Sequence, residues 1–303
     1  METFVTLIAD RTRAPLPQTL VHALMQTLQE AGTVIASDWL APQEAYDIRL
    51  HSAADVSVLR ARCQTVVAAH AAPVDVVVQR TTQRKKQLLI SDMDSTMITI
   101  ECIDELADYV GKKPEVARIT EQAMRGELDF ATALRARVRL LKGLPVSLLE
   151  EVYRARVRYM PGAQQVLATM RRSGAYAVLV SGGFTFFTER VAQHLGFDAH
   201  HANRLGVDGD TLSGEVVAPI MDKDSKRAIL MHLCKERALC EDATLAVGDG
   251  ANDIPMLCAA GLGVAYHAKA VVWRAAPVGI AHADLRALLY MQGYTKAEIY
   301  DSE

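Results

Sequence analysis

Asp92 and Asp94 stand two residues apart in Asp92-Met93-Asp94-Ser95-Thr96, directly after the short apolar run Leu88–Ser91. One carboxylate can attack phosphorus and form an acyl phosphate. The other can protonate the leaving oxygen and later take a proton from the attacking water. The same spacing also occurs in metal-binding glycosyltransferases and in turns without function, so the pair alone does not select a reaction. Two more turns narrow the choice. Ser181-Gly182-Gly183 follows the run Tyr176–Val180, and its glycines let backbone N–H groups and the hydroxyl come close to an anion. Gly248-Asp249-Gly250-Ala251-Asn252-Asp253 closes the run Leu245–Gly248 and adds carboxylates and an amide. Magnesium takes oxygen ligands and keeps several waters. Asp92, Asp249 and a backbone carbonyl near Asp94 would leave room for those waters and a phosphate oxygen, with Asn252 and Asp253 in support. A calcium loop would need acidic residues at alternate positions and a late glutamate, a pattern this segment lacks. A phosphoryl group also needs a fixed positive charge beside it. Lys226 lies between the second and third turns at the start of the helical segment Ser225–Cys234, but Lys223 and Arg227 are equally basic on sequence alone.

Strands have to bring these turns together. The runs Leu88–Ser91, Tyr176–Val180, Leu245–Gly248 and Gly263–Ala265 alternate with helical segments, which predicts a Rossmann-like parallel sheet covered on both faces. In such sheets ligands bind beyond the carboxyl ends of the strands, and three of the four runs end there in polar or glycine-rich turns. Between the first two runs lies an insertion of roughly residues 100–158, too long for a simple connection. Ile103–Val110, Glu115–Met124, Phe130–Leu141 and Val146–Val157 have helical spacing, so the insertion reads as a helical cap placed where a lid would sit. Residues 1–80 read β-α-β-β-α-β, from Phe4–Ala9, Leu16–Ala31, Thr33–Trp39, Tyr46–Leu50, Val56–Ala69 and Val74–Gln79. That is the order of a ferredoxin-like α+β unit, similar at the level of fold to the amino-acid-binding ACT domains. Residues 81–86 contain no apolar side chain and read as a linker, its basic run Arg84-Lys85-Lys86 solvated. Residues 87–303 form the second domain.

The 303 residues carry a net charge of −3, half of them apolar and 23% charged. No general field would gather nucleic acid or an anionic membrane surface. Five dispersed cysteines without CxxC spacing argue against a disulfide framework and a zinc site. No apolar stretch approaches the ~20 residues that cross a bilayer, and Met1–Arg13 lacks the pattern of a secretory leader. A cytoplasmic enzyme is expected.

The order DMDST, SGG, lysine, GDGAND resembles the haloacid dehalogenase superfamily of phosphatases. Over residues 88–289 the chain also resembles the phosphoserine phosphatases of that superfamily. The stretches that carry this are Glu101 with Ile103-Asp104-Glu105, Ile119-Thr120, Ala123-Met124, Leu134–Val138, Val180–Phe184 and Ala202-Asn203-Arg204-Leu205. The resemblance implies Asp92 as nucleophile and Asp94 as general acid and base. Ser181, Gly182 and Lys226 would hold the phosphate, with Asn252 in support. Asp92, the Asp94 carbonyl and Asp249 would hold Mg2+. In the cap it places Glu101 toward the substrate ammonium and Arg137 toward its carboxylate, a choice that the alternation of Arg135, Arg137 and Arg139 leaves open. Met124 and Phe130 would wall the pocket. The same comparison leads us to expect phosphoserine as substrate, a homodimer through the N-terminal sheet, and L-serine as an effector. Two other readings fit part of the pattern. One is a phosphatase or phosphotransferase for another small phosphate ester. The other is an amino-acid sensor with a vestigial phosphatase part, which the full set of acidic residues disfavours.

Overall fold

The computed structural model of the chain describes residues 2–10, 12–125 and 127–300, with residue 124 described in its backbone alone. The N-terminal unit is built from β1 (Glu2–Ala9), α1 (Gln18–Ala31), β2 (Thr33–Ala41), β3 (Ala45–His51), α2 (Val56–Ala69) and β4 (Val74–Gln79). Its antiparallel sheet runs β2-β3-β1-β4, the ferredoxin-like order. Alternation along β1 explains how it is packed. Val5 and Leu7 join Leu20, Leu24 and Leu28 of α1 in a core of their own. Ile8 points the other way, into the hydrophobic cluster of the second domain, as do Ala41, Ala45 and Val77.

The second domain carries a seven-stranded sheet ordered β11-β10-β9-β5-β6-β7-β8. Its strands are β5 (Leu88–Ser91), β6 (Tyr176–Phe184), β7 (Ala199–Asp208), β8 (Thr211–Val217), β9 (Thr244–Gly248), β10 (Leu262–Tyr266) and β11 (Val278–Ile280). β5 lies between β6 and β9, parallel to both. The chain runs outward from β5 through β6, β7 and β8, then returns to β9 and runs the other way. The order therefore reverses beside β5, the place where such sheets open a crevice for ligand. Side chains alternate across the sheet. Leu89, Leu179, Leu245 and Val247 enter one apolar cluster, and Leu88, Ile90, Val178, Val180 and Ala246 enter the other. A fully buried side chain of this size contributes roughly 1.5–3 kcal/mol, so β5, with no exposed residue, is anchored from both faces.

Two features depart from the sequence reading. β8 pairs antiparallel with β7, so the sheet is mixed at that edge. The hairpin is half-exposed and rich in polar residues and glycine, so no apolar run announces it. β6 also extends past Val180, and its pairing with β7 breaks there and resumes at Phe184 opposite Asn203. Ser181-Gly182-Gly183 is the irregular stretch inside that break.

The insertion forms α3 (Cys102–Tyr109), α4 (Lys113–Met124), α5 (Phe130–Arg139) and α6 (Ser147–Arg156). Two adjacent segments join it to the sheet, where Thr99 N–H bonds the Arg158 carbonyl and Met160 N–H bonds the Met97 carbonyl, both at 2.9 Å. Across the cap, the loop between α5 and α6 is tied to β8 and the turn before it. Gly143 N–H donates to the Leu212 carbonyl, Leu212 N–H to Leu144 and Val146 N–H to Asp210, each at 2.8 Å. The remaining helices are α7 (Ala163–Arg172), α8 (Thr185–Leu195), α9 (Lys223–Glu236), α10 (Ile254–Ala259), α11 (Ala270–Ala275) and α12 (Ala287–Met291).

Residues 81–86 connect the two units, and of the basic run only Lys85 is exposed. Arg84 pairs with Asp47 of β3 and Lys85 with Glu298. The Lys86 ammonium, on a residue 2% exposed, donates to the Asp242 carbonyl at 2.6 Å. Asp242 also accepts from Thr81 and Thr82. A polar composition is a sign of solvation only when nothing offers the charges partners, and here both units offer acids.

Candidate active site

Asp92 comes directly after β5 and its N–H bonds the Val247 carbonyl of β9 at 3.0 Å. This register sets it beside the end of β9, where Asp249 and Asp253 emerge. One carboxylate oxygen from each of Asp92, Asp249 and Asp253 lies within 4.8 Å of the others. All three residues are buried, Asp253 completely. Lys226, 1% exposed, projects from the first turn of α9. Its Nζ donates to Asp92 Oδ1 and to Asp253 Oδ1, both at 2.7 Å. Asp222 caps that helix, its carboxylate accepting from Ser225 N–H at 2.9 Å, which fixes where the lysine starts. Of the three basic residues near 226, the structure brings Lys226 to the acids.

Burial, then the charges of Asp253 and Asp249, push Asp92 well above the ordinary carboxylate range against the pull of Lys226. Burial alone would lower the Lys226 pKa, but Asp253 and Asp92 reverse this and hold it above that of an ordinary lysine. Asp249 rises to about 6 through burial first, then Asp253 and Glu101, while Thr96 Oγ1 donates to it at 3.2 Å. Asp94 rises to about 7, from burial and then the Glu101 charge. Its Oδ1 accepts from Cys102 N–H at 3.4 Å.

Three carboxylates against one ammonium leave two negative charges in a buried pocket when all are ionised. A divalent cation would balance them. The donors are all oxygen, which suits a hard ion and not a thiolate-seeking one. Asp92 and Asp249 are the carboxylates freest to ligate. Lys226 occupies one oxygen of Asp92, but both oxygens of Asp253 are engaged, Oδ1 by Lys226 and Oδ2 by Gly250 N–H at 3.0 Å. The Asp94 carboxylate lies outside the cluster, which leaves its backbone carbonyl as the group it would offer.

The raised Asp249 value makes the metal-free protein pH-sensitive. Between the ordinary aspartate value of 3.8 and about 6, the folded chain keeps a proton that the unfolded chain has released. The native state then binds more protons, so stability falls as pH rises through this window. Asp249→Asn removes that loss. Urea unfolding without metal should show the variant gaining on the parent from about pH 4 to pH 6, by on the order of 2 kcal/mol. A difference flat in pH would refute the assignment.

Ser181 is 1% exposed and its Oγ accepts from Gly183 N–H at 2.8 Å. Any side chain at Gly183 would push on the site. A Cβ there would lie 2.9 Å from Asp94 Oδ2 and 3.0 Å from Ser181 Oγ, so this turn and the Asp92–Asp94 turn converge on one another. Phe130 of α5 comes over Gly182, its Cζ 3.3 Å from where a side chain would begin. Asn252 meets Asp253 at a long 3.4 Å. In the cap, Glu101 precedes α3 and accepts from Ser95 Oγ at 2.7 Å, and its charge acts on both Asp94 and Asp249. Burial lowers the Arg137 pKa, with Asp104 and Glu101 opposing. Its Nε donates to the Ala133 carbonyl at 3.4 Å, and no ion pair engages it among the described residues. The Met124 side chain lies outside the described residues.

Sequence reasoning gave Asn203 no role. Fully buried, its amide donates to the Gly182 carbonyl at 2.9 Å and accepts from Met221 N–H at 2.7 Å. It ties the Ser181 turn to the segment leading into α9, and so to Lys226. Asn203 stands in a stretch that carries the resemblance, but nothing local to that stretch assigns it these bonds, because both partners are distant in sequence. Asn203→Ala would strand those buried groups and should destabilise the protein by about 1–3 kcal/mol in denaturant unfolding.

Residues 89–258 match the haloacid dehalogenase-like hydrolase family. The chain belongs to that family. Within it, the chain is 47% identical over 208 residues to a phosphoserine phosphatase of Polaromonas sp. (strain JS666 / ATCC BAA-500), a match covering 67% of this chain and 88% of that relative. Among solved structures, this hydrolase is similar to a family member from Salmonella enterica serovar Typhi, with TM-score 0.84, 26% identity, and 96% and 98% of the two chains covered. It is also similar to a probable phosphoserine phosphatase from Vibrio cholerae, with TM-score 0.78, 29% identity, and 98% and 88% covered. Both likenesses extend over the N-terminal unit as well as the hydrolase domain.

Proposed function

We propose that this hydrolase is a phosphoserine phosphatase that hydrolyses O-phospho-L-serine to L-serine and phosphate through a phosphorylated Asp92. The observation that carries the reading is the buried Asp92–Lys226 pair inside the carboxylate cluster, with Glu101 of the cap near enough to act on Asp94 and Asp249. The Polaromonas relative, and one of Saccharomyces cerevisiae at 37% identity over 76% of the chain, are named phosphoserine phosphatases and support the substrate.

The phosphate binds against Ser181, Gly182 and Lys226. The substrate ammonium faces Glu101, and the carboxylate faces the Arg137 guanidinium, whose planar fork suits two parallel hydrogen bonds. Asp92 Oδ forms a bond to phosphorus as the bond from phosphorus to the serine oxygen breaks. Asp94, near half-protonation at neutral pH, gives its proton to that oxygen. With serine gone, Asp94 takes a proton from a water that attacks phosphorus, which frees phosphate and restores Asp92. Asp92, the Asp94 carbonyl and Asp249 would hold Mg2+, which would neutralise charge on the two anionic partners. Throughout, Lys226 keeps Asp92 aligned and carries positive charge toward the phosphoryl oxygens.

This reaction would supply serine as the last step of its synthesis, in the cytoplasm. No described helix is long and apolar enough to cross a membrane. The N-terminal unit is the candidate seat of an L-serine effector. Its edge strand β2, with Ile35 exposed, is the candidate contact of a homodimer. Arg137→Ala tests the substrate. Its KM for phosphoserine should rise about 10- to 100-fold, while p-nitrophenyl phosphate, which has no carboxylate, should be hydrolysed as before. An unchanged preference for phosphoserine would shift the assignment to another small phosphate ester.

A further inference from the structure

The edge strands β4 and β11 of the two units face one another, and a cavity of about 290 Å³ opens beside them. α2 and β4 line it from one unit, and α11, β11 and residues 281–282 from the other. The seam is well bonded. Asp75 of β4 accepts from the N–H groups of Ala281, His282 and Ala283 at 2.8, 3.1 and 2.9 Å. Other arginines of the interface are also satisfied. Arg84 pairs with Asp47, and Arg286 with Glu44 and Asp284. Arg80 donates to Thr3 Oγ1 and to the carbonyls of Ser52 and Ala54.

Arg60 is different. It projects from α2 into the cavity lining, half-buried, with no hydrogen bond or ion pair among the described residues. Its charge therefore has no counter-group on the protein among the described residues. Asp75 of the same lining makes no hydrogen bond or ion pair with it, its carboxylate being turned to the three N–H groups of residues 281–283. Opposite stands Trp273 of α11, 37% exposed. Its ring lies on Gly279 of β11, where a Cβ would clash with the indole, so strand and helix together hold the ring in place. Val74, Val77 and Val278 complete the apolar part of the wall.

We propose that this inter-domain cavity binds a small carboxylate with an apolar body, its anion on Arg60 and its body against Trp273. Domain interfaces are favoured positions for such sites, and the volume is at the small end of known ligand pockets. Serine would gain little here, since its hydroxymethyl group does not use the aromatic wall. The site has a short route to the chemistry. Lys269, at the start of α11, gives its N–H to the Asp249 carbonyl at 3.3 Å, so an occupant that fixes Trp273 also fixes the segment bonded to Asp249. This inference does not depend on the identity of the phosphorylated substrate.

The full chain carrying Trp39→Phe leaves Trp273 as the sole tryptophan, and its fluorescence can be titrated with benzoate. We expect a saturable change with a Kd on the order of 1 mM, little response to the uncharged analogue benzamide, and no displacement by inorganic phosphate. Arg60→Gln should weaken benzoate binding about tenfold or more. The proposal fails if benzamide binds as well as benzoate, if phosphate displaces benzoate, or if Arg60→Gln leaves the titration unchanged. A thermal melt of Arg60→Gln matching the parent would tie a weakened titration to the lost guanidinium.

Discussion

Asp92→Asn should abolish phosphate release from phosphoserine, with a loss of at least about 10^4-fold in kcat, the scale on which removal of a covalent nucleophile acts. An amide keeps the shape of the carboxylate but cannot form the acyl phosphate. The loss should not come from unfolding. Burial first, then the Asp253 and Asp249 charges, push the Asp92 pKa up, so a neutral group there removes a desolvated charge and its repulsion in the metal-free protein, and Lys226 retains Asp253 at 2.7 Å. The variant should therefore melt no lower than the parent without metal. In a single-turnover experiment with radiolabelled substrate and an acid quench, the parent should carry label on the protein and the variant none. Residual turnover above about 1% would contradict a mechanism that runs through this side chain.

The second large effect is on stability. Lys226→Met removes the cation that two buried carboxylates share. Asp92 and Asp253 would be left facing each other without compensation, and breaking a buried pair in this way costs about 3–5 kcal/mol. Denaturant unfolding without metal should show that drop. It should grow as pH rises through the range where the acids ionise. A double variant, Lys226→Met with Asp253→Asn, restores the local balance and should recover much of the stability while remaining inactive. If the single variant proves as stable as the parent, the pair is not the electrostatic pivot described here.

Much of this was legible in the sequence because the site lies at strand ends. The four-residue run Leu88–Ser91, too short for a helix and followed at once by a polar turn, reads as a buried strand, and such strands deliver the next residues of the chain to one edge of a sheet. Asp92, Ser181 and Asp249 could thus be brought together before any coordinates. The cap helices were equally legible from their periodicity. Other features depend on partners remote in the chain. Asp253 looks in sequence like one more polar residue of the Gly248–Asp253 turn, and its 2.7 Å bond to Lys226 exists only because α9 passes beneath that turn. Lys86 reads as a surface charge until Asp242 is placed beside it. The β7–β8 hairpin is built from residues that are half wet, so hydrophobic patterning carries no trace of it.

That hairpin has a mechanical consequence. By bonding the segment around Leu144 through three amides, it turns part of the cap into a short extension of the sheet's margin. The cap is stitched at this seam and again where Thr99 meets Arg158. It cannot swing as a free flap without unzipping one row of bonds. α5 packs on β8 and α3 on β6, whereas α4 packs chiefly on α3 and α5, so the least fastened side of the cap lies there. Substrate would slip in under that unfastened corner, and the stitched side would act as the fixed jaw.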